Sequence, residues 1–217
     1  MSKRSAISAP RKLGRPPATD SAETRERLLR VAQLAFARAG YDATTNRDMA
    51  AMADITTAAI YHYFPSKAEL YMAVFDQVDD IVYSAFEKAA AAEDGFVERY
   101  SAVLDAAVEL NREDRSLAAF IVAVPSEARR HPELARMLRP KMTRSNAFLR
   151  RLVIDSRERG ELAPGIDEGA LEDLLNAVLS GLASLNHTTG SVERHRRSVE
   201  VLKRFLNGSA LVTPPSD

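Results

Sequence analysis

The 217-residue sequence contains no cysteine. That excludes disulfides, thiol catalysis and cysteine-ligated zinc, and it suits a reducing compartment. Long hydrophobic runs are missing too. The longest uninterrupted apolar stretch is Leu117 to Val124, far short of the ~20 residues a membrane-spanning helix needs. The basic N-terminus has no apolar stretch behind it, so it does not read as a signal peptide. The histidines His62, His131, His187 and His195 are scattered, with no H-x-x-x-H spacing for a metal. No nucleophile elbow, phosphate-binding loop or dinucleotide glycine pattern occurs. These absences leave little room for an enzyme and call for no cofactor. They point to an intracellular, cytoplasmic protein that does not engage a membrane.

Net charge is absent as well, with 30 basic and 30 acidic residues, but it is unevenly spread. Residues 1–70 carry 11 Lys/Arg against 7 Asp/Glu, and residues 71–217 carry 19 against 23. A basic front on an acidic body suits a protein that presents one end to nucleic acid, although a basic tail alone gives the same balance. Residues 1–20 are Ser/Ala/Pro-rich and basic without apolar periodicity, which predicts a flexible arm. Within it Arg15, in the Gly14-Arg15-Pro16 stretch, can enter an A·T-rich minor groove or can simply aid solubility.

From Asp20 onward the pattern is all-α. Strand-like alternation is absent, and Ala, Leu, Arg and Glu dominate over β-branched residues. A first helix capped by Asp20 or Ser21 buries Leu28, Ala32, Ala35, Phe36 and Ala39, and stops at Gly40. Thr45 with Asp48, and Ser66 with Glu69, have the spacing of capping boxes, and Thr56 caps a helix between them. A long fourth helix is expected from about 67 to 92. Others follow at about 96–112, 114–130, 132–159, 167–188 and 191–207, nine helices in all, separated by Gly- and Pro-containing breaks. The boundaries imply an arm (1–20), a small N-terminal unit (21–67), a helical body (68–208) and a tail (209–217).

Residues 44–64 carry the most information. A short helix from about Asn46 to Ala53, a break at Asp54-Ile55 and a second short helix after Thr56 have helix-turn-helix spacing. Met49, Ala53, Ile55 and Ile60 are apolar where the two helices share a face, and Ala50 is small where they cross. Asp54 occupies the position that needs a left-handed residue, which Asp tolerates better than most. Tyr63 and Phe64 can pack back onto the first helix. Thr57, Ala58, Tyr61 and His62 remain on the outer face. In a major groove Thr57 can exchange a hydrogen bond, Ala58 can meet a thymine methyl, and His62 can donate to guanine or a phosphate. Thr45, Thr56 and Lys67 lie at helix starts, where phosphates are favoured. Arg47 can touch base or backbone, or be a solvated charge.

The run from Gly40-Tyr41-Asp42-Ala43-Thr44-Thr45 to Ile60-Tyr61-His62-Tyr63-Phe64-Pro65-Ser66-Lys67-Ala68-Glu69-Leu70 resembles the DNA-binding domain of the TetR family of bacterial regulators. It departs in having Asp54-Ile55-Thr56 where the family more usually has Gly-Val-Ser. The resemblance implies a ligand-responsive transcriptional repressor that binds a palindromic DNA operator. It also implies Tyr61 at a phosphate, a helical ligand-binding body, and a homodimer through the last two helices. Leu171, Leu174, Leu175, Val178, Leu179, Leu182 and Leu185, with Ala177, Gly181 and Ser184 beside them, are compatible with such a helix pairing. An activator or effector-independent regulator of the same fold is the alternative reading, and an architectural DNA binder a more distant one.

The expected lining of a pocket for a hydrophobic or amphipathic effector is Phe75, Val78 and Val82 on the fourth helix and Phe96, Tyr100 and Val103 on the fifth. Phe120, Val124, Phe148, Leu152 and Asn176 complete it. Each of these positions also suits the core of a helical bundle. Pro125 falls inside the sixth helix. The fourth helix joins the two parts of the chain and is the natural lever between them.

Overall fold

A computed structural model describes residues 17–141 and 143–211; Arg15, most of the predicted arm and the end of the tail (212–217) lie outside them. The described residues form ten helices and no strand: α1 (Pro17–Ala43), α2 (Asn46–Met52), α3 (Thr57–Tyr63), α4 (Lys67–Ala90) and α5 (Phe96–Glu113), then α6 (Arg115–Arg130), α7 (Pro132–Leu138), α8 (Thr143–Glu158), α9 (Glu168–Thr189) and α10 (Val192–Leu206). None of them is long and apolar enough to cross a membrane.

Two expectations need correction. The first helix begins at Pro17, ahead of the anticipated cap at Asp20 or Ser21; proline is well placed at a helix start, where a missing N–H costs nothing. The helix expected over 132–159 is two helices, giving ten rather than nine. Pro140 separates them: it has no N–H to continue the ladder, and its ring crowds the carbonyl four residues back. The turn is closed instead by Lys141 N–H to the Leu138 carbonyl (2.8 Å) and by the Lys141–Asp76 ion pair.

Local signals set the N-terminal unit. The Thr45 hydroxyl accepts from Asp48 N–H, Thr56 from Ala59 N–H, and Ser66 from Glu69 N–H, each at 3.1 Å. The turn between α2 and α3 is a Schellman motif. Asp54 adopts φ 52°, Ile55 N–H reaches the Ala50 carbonyl and Asp54 N–H reaches Ala51. Asp54→Val should therefore cost about 1–2 kcal/mol, because a β-branched residue fits a left-handed conformation poorly. Asp54→Gly should change stability by under about 1 kcal/mol. Denaturant midpoints of the two variants check both numbers.

One hydrophobic core runs through the molecule. Leu28, Phe36, Met49 and Ile60 of the N-terminal helices belong to the same buried cluster as Tyr71, Val78, Val103, Phe120, Leu134 and Val153 of the body. Helix α1 packs on both α4 and α6. Near its end Gly40 (φ 78°) breaks the helical path. The backbone angle there favours glycine, and a Cβ would also lie 2.8 Å from Glu127 Oε1, pressing on that side chain.

Candidate DNA interface and effector cavity

Helix α3 has one fully anchored side chain, Ile60, 1% exposed. It shares a buried cluster with Met49 and Ala50 of α2 and with Ala53 just after it. Tyr63 and Phe64 lie back on α1: the Tyr63 hydroxyl is 3.3 Å from that of Ser21, and the Arg25 guanidinium lies over the Phe64 ring. Arg27 Nε donates to the Ala53 carbonyl at 2.9 Å, closing the open end of α2 from α1. With its inner side fixed at three points, α3 presents Thr57, Ala58, Tyr61 and His62 to solvent, and Thr45, Arg47 and Thr56 are exposed beside them. All seven are exposed, and six of them, all but Ala58, carry polar groups that can exchange hydrogen bonds. Lys67 is placed differently. Its ammonium donates to the carbonyls of Tyr41 (2.8 Å) and Thr44 (3.1 Å) and lies 4.2 Å above the Tyr41 ring. Two of its three donors thus hold the α1–α2 link, leaving one for an outside acceptor.

The body contains a cavity of about 470 Å³, within the size range of small-molecule sites. Helix α4 contributes Phe75, Asp79, Val82, Tyr83 and Phe86; α5 contributes Ala107, Leu110 and Asn111. Helix α6 supplies Leu117, Ala118, Ile121, Val122, Val124 and Pro125, α9 supplies Asn176 and Leu179 to Ser184, and α10 supplies His195. Asn176, Ser180 and Gly181 are exposed, so the cavity opens alongside α9.

Of the expected lining, Phe75, Val82, Val124 and Asn176 are present. Val78, Phe96, Tyr100, Val103, Phe120, Phe148 and Leu152 are not; they pack in the core instead. The cavity lies against the C-terminal half of α5, turns beyond Phe96, Tyr100 and Val103. Tyr100 is occupied elsewhere, donating to the Leu175 carbonyl at 2.9 Å. Phe148 sits against Tyr83 and Phe86, and Phe120 against Tyr71. Among the described side chains, none from α8 lines the cavity.

Asn111 and His195 are the buried polar residues of the lining, and neither is expected there from the sequence; Asp79, Tyr83, Ser180 and Ser184 also line it and are less buried. Both interrupt apolar stripes at helical spacing: Tyr100, Leu104, Ala107, Asn111 on α5, and Val192, His195, Val199, Leu202 on α10. That interruption was the available signal. Asn111 Nδ2 donates to the Ala107 carbonyl (3.0 Å) and lies 3.4 Å from His195 Nδ1. Burial disfavours a charged imidazole and lowers the His195 pKa from its ordinary value.

The family follows from comparison with known proteins. Residues 28–74 match the model of the bacterial regulatory proteins of the tetR family. Residues 96–210 match the C-terminal model of BetI-type transcriptional repressors. The chain belongs to the TetR family. It is therefore a DNA-binding transcriptional regulator, with an N-terminal helix-turn-helix and a C-terminal helical domain, and not an enzyme. It is 24% identical to the HTH-type transcriptional regulator UidR of Escherichia coli (strain K12) over 164 residues, covering 76% of this chain and 82% of UidR. Its fold matches the fatty acid degradation regulator FadR from Bacillus halodurans with a TM-score of 0.74 at 14% identity, covering 89% of this chain and 96% of that one. It also matches FadR from Bacillus subtilis, solved in complex with stearoyl-CoA, with a TM-score of 0.72 at 16% identity, over 85% and 98% of the two chains. TetR-family regulators bind DNA operators and small-molecule effectors.

Proposed function

We propose that this TetR-family member is a homodimeric repressor, released from a palindromic operator in the bacterial cytoplasm by an apolar or amphipathic effector. The observation that carries this reading is the 470 Å³ cavity. Two of the helices that wall it, α4 and α6, also pack against α1 of the DNA-binding unit. An effector that fits better when the two heads are splayed lowers operator affinity by its differential affinity for that state. Thr45, Arg47, Thr56, Thr57, Ala58, Tyr61 and His62 are the residues proposed to meet the DNA, with Lys67 adding its remaining donor and Arg15 reaching from the arm. Dimerisation is supported by exposed apolar side chains on the last two helices: Leu174 on α9, and Val201 and Phe205 on α10. Gly181 lies beside open space, where a second helix can approach closely. The units assigned to residues 21–67 and 68–208 divide these two tasks.

The test is fluorescence-anisotropy binding to the DNA upstream of the protein's own gene, against scrambled DNA, across a salt series. The expected result is a preference of about 10³ or more for the upstream site, two protomers per site, and a salt slope showing several phosphate contacts. His62→Ala should lower operator affinity by about 10–100-fold with little change toward scrambled DNA. A screen of apolar and amphipathic compounds in the same assay should yield one that releases the operator. Operator affinity unchanged across the screen would point to an activator or effector-independent regulator.

A further inference from the structure

The buried polar pair at the α5–α10 side of the cavity defines what the effector must carry. Asn111 and His195 are 4% and 1% exposed, and both line the cavity. Each retains one atom without a hydrogen-bond partner, Asn111 Oδ1 and His195 Nε2. Buried polar groups are rarely left unmet, because each then keeps the full cost of leaving water.

The chemistry of the two free atoms follows from the bonds the pair already makes. Asn111 Nδ2 donates to the Ala107 carbonyl, which fixes the amide orientation: turned the other way, Oδ1 would face another acceptor. The same Nδ2 then points its second proton toward His195 Nδ1, making Nδ1 the acceptor and placing the imidazole proton on Nε2. The unmet pair is one acceptor, Asn111 Oδ1, and one donor, His195 Nε2–H. Burial keeps the imidazole neutral, so this tautomer holds near neutral pH.

We propose that the cavity selects a neutral hydroxyl group on an otherwise apolar molecule, donating its proton to Asn111 Oδ1 and accepting from His195 Nε2–H. A hydroxyl supplies both halves of the match. A carboxylate accepts from His195 but brings no proton for Asn111, and its charge is desolvated with no Lys or Arg among the described lining residues. An ammonium can donate to Asn111 Oδ1 and face the Asp79 carboxylate of the lining, but it leaves the His195 Nε2–H without an acceptor. A hydrocarbon leaves both protein atoms unmet. The ring or chain bearing the hydroxyl packs on Phe75, Phe86, Leu110 and Ile121. This inference rests on the effector reading above and adds the chemical class to it.

The test uses three probes of one shape: 4-hexylphenol, 4-hexylbenzoate and hexylbenzene, titrated into the full-length protein without DNA by isothermal calorimetry. The phenol should bind at least about tenfold tighter than either of the others, the discrimination expected of a site built to hydrogen-bond a hydroxyl. In Asn111→Leu and His195→Phe the phenol's advantage over hexylbenzene should fall below about threefold, with hexylbenzene affinity retained. Should either variant fail to fold, the wild-type ranking decides alone. Equal affinities, a benzoate that binds best, or no phenol binding up to its solubility limit overturns the assignment. Operator release is read separately. A phenol preference without DNA release leaves the hydroxyl site standing and removes the effector reading. Release by hexylbenzene as efficient as by the phenol does the reverse.

Discussion

Ile60→Ala is expected to abolish operator recognition while leaving most of the molecule folded. Helix α3 has seven residues, too few to hold a helix in water without packing. Ile60 is its one fully buried side chain, in the same buried cluster as Met49, Ala50 and Ala53. Truncation of a buried Ile removes about 2–5 kcal/mol. That is a large share of the 5–15 kcal/mol that holds a typical domain together, and here it falls on a single turn-and-helix unit. The flanking Thr56 cap and the Asp54 turn remain, but they fix only the ends. Far-UV circular dichroism should lose only a small part of its helical signal, since α2 and α3 are seven residues each. Operator binding in the anisotropy assay should fall more than 100-fold. Ile60→Val, which typically costs about 0.5–1.5 kcal/mol, should retain most binding. Full operator affinity in Ile60→Ala would mean that α3 is positioned by its flanks and not by its core contact.

Glu127→Ala should have the second largest effect, and at a distance from both DNA and cavity. Glu127, 2% exposed, stands near the C-terminal end of α6 and reaches to the end of α1. Its Oε1 accepts from Tyr41 N–H (3.2 Å) and pairs with Arg130 (2.8 Å). Its Oε2 lies 3.5 Å from His131 Nε2, which also stands 3.2 Å from Asp42. Around this carboxylate the Tyr71 ring meets Phe36 and Tyr41 edge to face, and the His131 ring tilts against Tyr41. Burial raises the Tyr71 pKa, and the Glu127 charge raises it further, so that hydroxyl stays protonated. Removing the carboxylate strands the Tyr41 N–H and leaves a hollow against Gly40. The expected loss is about 3 kcal/mol, or roughly 6–12 °C in Tm for a chain of this size. Glu127→Gln, which keeps an acceptor for Tyr41, should lose less than half as much. Because α6 also walls the cavity, effector-induced release should shrink in Glu127→Ala at temperatures where it remains folded. A thermal scan and an effector titration on the same preparation test both. An unchanged Tm would show that the aromatic packing alone secures this junction.

The contrast between the two ends of the molecule shows what a sequence makes legible. The helix-turn-helix was readable because its determinants are close in the chain. Thr45 and Asp48, Thr56 and Ala59, and Ser66 and Glu69 are three residues apart, and Asp54 announces its left-handed turn by residue type alone. The same locality hid the role of Lys67, whose ammonium turns to carbonyls more than twenty residues away. The cavity was only partly readable for a related reason. A stripe of apolar residues identifies the inner face of a helix, but not the stretch of that face where neighbouring helices part. On α5 the stripe runs unbroken from Tyr100 through Leu104 to Ala107 before Asn111 interrupts it, but only the packing of α6, α9 and α10 decides that Val103 is enclosed and Asn111 borders space. Pro140 falls between α7 and α8, while Pro125 lies within α6. Proline type alone does not separate the two.

The continuous core has a consequence for engineering. Regulators of this kind invite the exchange of DNA-reading heads between effector-sensing bodies, with the joint placed at the start of α4. Here such a joint would part more than a linker. Gln33 on α1 donates to Asp114 (3.1 Å) and Ser116 (2.7 Å) at the start of α6, and Tyr41 meets Glu127 near its end. A transplanted head must therefore bring the Gln33, Gly40 and Tyr41 counterparts that α6 already expects, and a transplanted body must bring Ser116 and Glu127. The portable unit in this protein is a head together with the side of α6 that packs on α1.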